Sequence, residues 1–240
     1  MLPQPRSAAL LLALLAALVP APVAAAAAAA TDSLSPAWES RLFALLDEGD
    51  RLARPQARRL PDGRLLISYR TTPGVPQPSA AELREMVRNP PTYDREREVI
   101  RDLLARLRRL GVAVELRAPG HPLAAGEWKP AEARLRIRPD IPLRGSPTLA
   151  MVLNHESIHV AQSCRGGGVR REPAPLGLPR RVDPEGSAML SAPAYRNAPL
   201  RARWLEQEAY AHQNDLDLGT ALLDRHCGAG EAAAPARLGS

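Results

Sequence analysis

The sequence predicts an α+β fold in which a small sheet packs on one long helix, with further helices on the flanks. Three observations favour this class. Residues 94–110 place apolar side chains at helical spacing, and residues 132–138 alternate apolar and charged side chains as a half-buried strand does. Residues 145–147 are Gly-Ser-Pro, a strong helix start, and the helix that follows should end near Cys164.

The first thirty residues are expected to be an export signal. Arg6 supplies a positive end, residues 8–19 form an unbroken apolar run, and residues 20–30 are small with several Ala-x-Ala cleavage options. This run is too short to cross a bilayer as a helix, and an uncleaved membrane anchor is the alternative. We therefore expect a secreted or periplasmic protein, cleaved within residues 24–31, that is soluble and has no stable membrane insertion.

Residues 31–92 should form an N-terminal extension built from helices and a strand. Ser35 is the predicted N-cap of a helix over residues 37–51. A turn followed by a short apolar strand is predicted within residues 60–70. Residues 71–78 then form a proline-rich connection.

Two further helices follow this connection. Ser79 and Glu82 form a capping-box pattern at the start of a short helix, which should end before Asn89. The helix over residues 94–110 carries an apolar stripe for packing, and Gly111 ends it.

Residues 112–116 and 132–138 are the predicted strands of the main domain, which is assigned to residues 93–227. In the second strand, Leu135 and Ile137 lie on one face. The opposite face carries Arg134, Arg136 and Arg138. A charged outer side is typical of an edge or surface-facing strand.

The next predicted helix has Ser146 as its N-cap. Residues 165–199 contain three consecutive glycines and several prolines without periodicity, which predicts a long irregular loop. Helices over residues 200–216 and 220–226 complete the domain. Residues 228–240 are rich in alanine and glycine and are expected to be a disordered tail.

The composition argues for one main domain without a nucleic-acid partner. A chain of 240 residues is long enough for one well-buried domain with accessory segments. The net charge is +6, but acidic residues are interleaved with arginines, as in residues 94–98, and aromatic residues make up only 3%. Basic runs interleaved with aromatic residues, which nucleic-acid modules carry, are missing from the sequence.

The chain has two cysteines, Cys164 and Cys227. In an oxidising compartment an even pair favours a disulfide. Closing a loop of this length would stabilise the fold by roughly 4 kcal/mol in the chain-entropy description.

The pattern that carries chemistry is His155-Glu156-Ser157-Ile158-His159, an HExxH match. Side chains four residues apart project from the same face of a helix, so both imidazoles can reach a single Zn²⁺. Glu156 lies about 100° around the helix from His155. We therefore expect Glu156 to act as general base on a metal-activated water, with His155 and His159 as metal ligands.

A catalytic zinc usually has a third protein ligand. Two glutamates on the helix after the long loop, Glu206 and Glu208, are the candidates. They lie within one helical turn, so spacing alone leaves the choice open. For either, the alternative is a surface carboxylate paired with Arg201 or Arg203.

Residues 154–162 and 206–210 together resemble the gluzincin metallopeptidases, in which a later helix supplies a glutamate in an E-x-x-A-D context. The likeness covers roughly residues 115–213, including Glu127-Trp128-Lys129-Pro130 ahead of the second strand. It implies a zincin-like fold whose polar edge strand packs on the HExxH helix. Aligning Ala209 with the family alanine assigns the third ligand to Glu206, with Tyr210 in place of the usual aspartate.

The resemblance and the residues together imply a zinc peptidase acting on a peptide or protein substrate. An extended substrate would add to the outer side of residues 132–138, where the three arginines would favour acidic side chains. Two alternatives are kept. One is a structural zinc site in which His155 and His159 are joined by a cysteine, and the other is a non-catalytic envelope protein that retains the fold. The sequence assigns no oligomeric state.

Several other side chains could stabilise an oxyanion. They are His121, His212, Tyr195 and Tyr210. For each, a surface or packing role is the simpler interpretation, and none is assigned to the site.

Overall fold

The computed structural model describes residues 33–69 and 77–228. The expected export signal at residues 1–30, most of the proline-rich connection at 71–78 and the tail beyond residue 228 lie outside the described residues. Among the helices that are described, none combines the length and the apolar character needed to cross a membrane.

The N-terminal region begins with helix α1, Pro36–Ala53, and the predicted cap is confirmed because the Ser35 side chain accepts a hydrogen bond from the Trp38 amide. A hairpin follows, formed by β1, Gln56–Arg59, and β2, Leu65–Ser68. The sequence predicted only the second strand, because every side chain of β1 is polar or small and exposed and gives no alternating pattern. Helix α2, Ala80–Arg88, has the predicted capping box.

Helix α3, Asp94–Arg109, leads into a three-stranded sheet. Its strands are β3, Ala113–Leu116; β4, Gly126–Lys129; and β5, Arg134–Ile137. Their order is β3-β5-β4, with β3 parallel and β4 antiparallel to β5. Helices and sheet together confirm the α+β class.

The prediction that residues 132–138 form an edge strand is wrong. Strand β5 is central, and β4, which was not predicted as a strand, lies at the edge. The charged side chains of β5 are explained by ion pairs across the outer face of the sheet. Arg134 pairs with Glu115 of β3, and Arg136 pairs with Glu127 of β4. In the sequence, the charged residues of a central strand with one outer face cannot be distinguished from those of an edge strand.

Helix α4, Ser146–Arg165, passes through the centre of the molecule, and its predicted span is confirmed. Its predicted cap is wrong, because Gly145 (φ 100°) is the N-cap and Ser146 lies inside the first turn. The amide and hydroxyl of Ser146 both donate to Asp50 of α1, at 2.6 and 2.7 Å. Arg97 of α3 donates to the same carboxylate. A distant aspartate therefore replaces the local cap.

The segment predicted as one irregular loop contains two short helices, α5, Pro184–Leu190, and α6, Pro193–Arg196. Helices α7, Leu200–His212, and α8, Leu218–Cys227, complete the described chain. Helix α7 ends earlier than predicted, and the Asn154 side chain donates to the carbonyls of His212, Gln213 and Asp215 at this end. The predicted disulfide between Cys164 and Cys227 is present and joins the ends of α4 and α8.

Helix α4 is surrounded by α3, α7, α8 and β4, so its middle turns are buried on all sides. The core around it consists of aliphatic side chains from α1, α3, the sheet and α8. The largest fully buried members are Leu42, Leu46, Ile100, Leu103, Leu104, Leu107, Leu135, Ile137, Ile141, Leu149, Leu153 and Ile158. A polar group on the middle of α4 therefore needs a partner inside the protein.

Candidate metal centre

His155 and His159 lie one turn apart on α4 and point in the same direction. Their Nε2 atoms are 3.2 Å apart. Glu206 of α7 faces both rings. Its Oε2 lies 3.6 Å from His155 Nε2, and its Oε1 lies 3.6 Å from His159 Nε2. One ligand atom from each of the three residues lies within 4.8 Å of the other two, so this group could hold a metal ion.

The spacing of these atoms fits a small cation. Two ligands held 2.0–2.1 Å from a tetrahedral ion lie about 3.4 Å apart, close to the 3.2 Å between His155 and His159 and the 3.6 Å to Glu206. Glu206 Oε2 is buried and has no hydrogen-bond partner. A buried carboxylate oxygen without a donor is costly unless a cation neutralises it, and the donor set therefore fits a bound metal.

Each imidazole is oriented by a glutamine. His155 Nδ1 lies 3.3 Å from Gln213 Oε1, and His159 Nδ1 lies 2.8 Å from Gln162 Oε1. An amide oxygen only accepts, so each Nδ1 carries the proton and donates. In the neutral form of each ring, which is the form that binds a metal, the lone pair is then on Nε2, which faces Glu206. Amide oxygens do here what a carboxylate often does beside a histidine ligand.

The three groups also perturb one another electrostatically. Burial lowers the pKa of His159, but the Glu206 carboxylate outweighs burial and raises it to about 9. Burial raises the pKa of Glu206, and the two histidines hold it well below its usual range. The Glu206 carboxylate thus favours a positive charge on His159, and the histidines favour the ionised form of Glu206. A metal cation between them would replace the proton on His159.

Glu156 lies beside this group on the wall of a cleft. It is 5% exposed, and burial raises the pKa of its carboxyl group. Its carboxylate packs against the backbone of β4 at Gly126, where a Cβ atom would lie 2.6 Å from Glu156 Oε1. Only glycine leaves room for the carboxylate at that point, so β4 and α4 together hold Glu156 in place.

The structure separates the two candidate glutamates. The Glu208 carboxylate points away from the histidines and accepts hydrogen bonds from three consecutive backbone amides, those of residues 176–178, at 2.8–3.2 Å. It also accepts from Gln162 Nε2 at 3.1 Å. Glu206 therefore belongs to the metal group, and Glu208 fastens the loop that follows α4. The alternative that Glu206 is a surface carboxylate is wrong, since it faces His155 and His159.

The cleft has a volume of about 490 Å³. The candidate ligands and Glu156 line it, together with Gly126 and Trp128 of β4, Tyr195 of α6 and Tyr210 of α7. The Tyr210 ring packs edge-on against His155, with centroids 4.6 Å apart. Burial raises the pKa of both tyrosines, so both keep their phenolic protons. Each hydroxyl could therefore donate a hydrogen bond to a developing negative charge.

The other two histidines considered from the sequence lie differently. His121 is exposed at the outer part of the cleft. His212 donates from Nε2 to the Pro179 carbonyl at 2.9 Å and so fastens the loop before α5. The Arg201 guanidinium donates to the Pro173 carbonyl and has the same kind of role.

Sequence reasoning missed the residues that hold α7 and α8 against α4. Asn154 Nδ2 donates to the carbonyls of His212, Gln213 and Asp215, at 3.0–3.1 Å. Its Oδ1 accepts from the Gly219 amide at 2.9 Å, and a Cβ on Gly219 would lie 2.3 Å from that oxygen. The signal available in the sequence was an asparagine directly before His155, in the middle of a helix that was expected to pack in the core. A polar side chain at such a position needs hydrogen-bond partners inside the protein.

Comparison of the chain with protein-family models, with curated proteins and with solved structures finds no match.

Proposed function

We propose that this protein is a zinc-dependent peptidase with a zincin-like arrangement of helix α4 and edge strand β4. One observation carries the proposal. Two imidazole nitrogens converge with a carboxylate whose buried Oε2 has no donor, and a second carboxylate, Glu156, lines the same cleft. A structural cation site does not require this additional carboxylate, whereas hydrolysis does.

Zinc is the metal that best suits the donor set. Two histidines and one glutamate leave a position open for water in a four-coordinate ion, as catalytic zinc sites do. Calcium and magnesium prefer oxygen ligands only. Two histidines and a carboxylate can also bind iron(II), with several open positions. We propose zinc rather than iron(II), because peptide hydrolysis needs a redox-inert Lewis acid with a position open for water.

A zinc ion held by His155, His159 and Glu206 would supply a water of lowered pKa and would polarise the carbonyl of the bond to be cut. Glu156 takes the proton of the attacking water and hands it to the leaving amine. The water oxygen bonds to the carbonyl carbon, the carbon–nitrogen bond breaks, and a carboxylic acid and an amine result. His155 and His159 stay oriented throughout by Gln213 and Gln162. Tyr195 and Tyr210 are the nearest phenol donors to the cleft.

The substrate is proposed to lie along β4. This strand has a free edge among the described residues, since its sheet has the order β3-β5-β4. An extended peptide can add to such an edge through backbone hydrogen bonds. Trp128 Nε1 donates to Ser163 Oγ at 2.8 Å and holds β4 against α4, next to the metal group. The strand proposed to pair with the substrate is therefore β4, and not residues 132–138 as predicted from the sequence.

The alternative of a structural zinc site with a cysteine ligand is wrong, because both cysteines are joined to each other in the disulfide. The disulfide also supports export to an oxidising compartment, so we propose a secreted or periplasmic enzyme whose substrate is a peptide or protein. A nucleic-acid partner is not proposed, since the arginines of the sheet face are paired with glutamates.

The test compares the wild-type protein with Glu156→Gln and His155→Ala. Glu156→Gln should keep one zinc per chain while hydrolysis of a mixed peptide library falls by about 10³-fold, since a positioned base contributes 10²–10⁴-fold. His155→Ala should lose the metal. Zinc is counted by elemental analysis and cleavage by mass spectrometry, with a chelator as the negative control. Zinc without cleavage by the wild type would support the non-catalytic alternative, and cleavage surviving Glu156→Gln would refute the mechanism.

A further inference from the structure

We propose that Arg138 and Arg144 form a subsite for an acidic side chain of the substrate, on the part of the cleft wall between Ala125 and the start of α4. This inference rests on the proposed peptidase function. It differs from the prediction made from the sequence, because only one of the three arginines first considered belongs to the subsite.

The two guanidinium groups share a single carboxylate. Arg138 Nε lies 2.5 Å from Asp140 Oδ1, and Arg144 donates to Asp140 Oδ2 from Nε at 3.0 Å and from Nη2 at 2.8 Å. Two positive charges and one negative charge leave this cluster with a net charge of +1. Each guanidinium has five N–H donors, more than one carboxylate can accept. The cluster therefore has both charge and donors to offer a second carboxylate.

Arg138 and Arg144 both line the cleft. The Arg138 amide bonds to the Ala125 carbonyl, so Arg138 lies directly beside the start of β4. The Arg144 side chain is 51% exposed and that of Arg138 is 25% exposed. Both are thus accessible from the cleft and held in place by Asp140.

The two arginines of β5 are excluded from this role. Arg134 pairs with Glu115 and Glu132, and Arg136 pairs with Glu127 and Glu132. Glutamates therefore balance their charge on the outer face of the sheet. Arg134 and Arg136 do not line the cleft.

Away from the metal centre, the described lining of the cleft contains no arginine or lysine besides Arg138 and Arg144. Its lining near the arginines is apolar, with Leu123, Ala124 and Met151 among its members. Glu156 and Glu206 belong to the metal centre. Glu127, the remaining carboxylate of the lining, accepts from the Gly120 amide at 3.0 Å. Attraction for a negative side chain is therefore confined to one end of the cleft.

Helix geometry places this subsite relative to the bond to be cut. The start of α4 lies about 13 Å along the helix axis from His155, at about 1.5 Å per residue over the nine residues from Ser146. An extended peptide advances about 3.3 Å per residue, so this distance spans about four residues. Because Arg138 lies beside Ala125, next to the Gly126 that contacts Glu156, an acidic residue should be preferred within four positions of the cleaved bond.

The experiment scans one glutamate through a neutral peptide, with glutamine at the same positions as reference. Cleavage is measured with the zinc-loaded wild type, and affinity is measured by fluorescence anisotropy with the full-length Glu156→Gln variant. At low salt, glutamate should be favoured over glutamine about fivefold at one position, the upper range for a partly exposed ion pair. In 1 M NaCl the preference should vanish, because the Debye length is then about 3 Å.

Three substitutions make the test specific. Arg138→Gln combined with Arg144→Gln should abolish the preference while leaving affinity for the neutral peptide within twofold. Asp140→Asn should raise the preference above that of the wild type, because it removes the carboxylate that competes with the substrate. Arg134→Gln, the same substitution at a β5 arginine that does not line the cleft, is the matched control and should leave the preference unchanged.

Equal affinity for glutamate and glutamine at every position overturns the subsite, even if the wild type cleaves peptides well. A preference that survives the double substitution overturns it too. If no peptide is cleaved but the Glu156→Gln variant still selects glutamate through Arg138 and Arg144, the peptidase proposal fails and the subsite stands. The two proposals are therefore tested separately.

Discussion

Glu206 and Glu208 lie two residues apart on α7, and the protein uses them in opposite ways. The Glu208 side chain is fully buried and accepts four hydrogen bonds, three from backbone amides and one from Gln162. Glu206 is partly exposed to the cleft, faces two imidazoles at 3.6 Å, and has a buried oxygen without a donor. The hydrogen-bonding capacity of Glu208 is satisfied by groups of the protein, whereas Glu206 Oε2 remains available to a bound ligand.

This difference separates structural from functional charge. A buried carboxylate with a full set of donors stabilises the conformation around it, and Asp50 at the start of α4 is a second example, with Ser146 and Arg97 as its donors. A carboxylate oxygen that faces two imidazoles without a hydrogen-bond donor is stabilised by a cation beside it, either a metal ion or a protonated His159. The lack of a hydrogen-bond donor at Glu206 therefore identifies the metal centre better than the presence of a buried carboxylate does.

The largest expected effect comes from removing the unsatisfied carboxylate. Glu206→Gln takes away one of three metal ligands and the only negative one, so zinc affinity should fall at least 10²-fold, or about 2.7 kcal/mol. Competition with a chromophoric chelator measures this. Glu208→Gln is the matched control, on the same helix and with the same change of charge, and should keep zinc affinity within about threefold. Equal loss in both variants would break the comparison.

Local spacing made part of the site predictable. His155 and His159 share one face because they are four residues apart on a helix whose start could be recognised, and this holds wherever the helix docks. Glu206 and Glu208 could not be separated in the same way. Which of them faces α4 depends on how α7 packs, and Asn154 sets that packing through carbonyls 58 to 61 residues along the chain.

The fold was predictable to the same depth. Apolar periodicity identified α3, the Gly-Ser-Pro start at residues 145–147 identified α4, and the capping pattern of Ser79 and Glu82 identified α2. The cap of α4 was not predictable, since Asp50 reaches Ser146 across 96 residues. Strand β4 is four residues long and begins with Gly126, a residue that weakens strand patterns. Its place at the edge became clear only from the pairing with β5.

A second prediction tests the structural side of the comparison. Glu208→Ala leaves the amides of residues 176–178 and the Gln162 amide without their acceptor, so the free energy of unfolding should fall by about 3 kcal/mol. Chemical denaturation of the zinc-free protein measures this. Limited proteolysis near Leu176 should become faster, because the loop after α4 is released. A variant of unchanged stability that loses zinc would mean that the roles of the two glutamates are reversed.

The smallest effect is expected at Gln162, which touches both regions. Its Oε1 orients His159 and its Nε2 donates to Glu208, so Gln162→Ala should weaken zinc binding about tenfold and also lower stability, by about 1–2 kcal/mol. Gln213→Ala removes the partner of His155 without touching Glu208, and should weaken zinc binding by a similar factor while loop proteolysis stays at the wild-type rate. Titration with a chelator and limited proteolysis of both variants give the two readouts. If Gln162→Ala leaves the loop as protected as Gln213→Ala does, Glu208 depends on its backbone donors alone and the two regions are energetically independent.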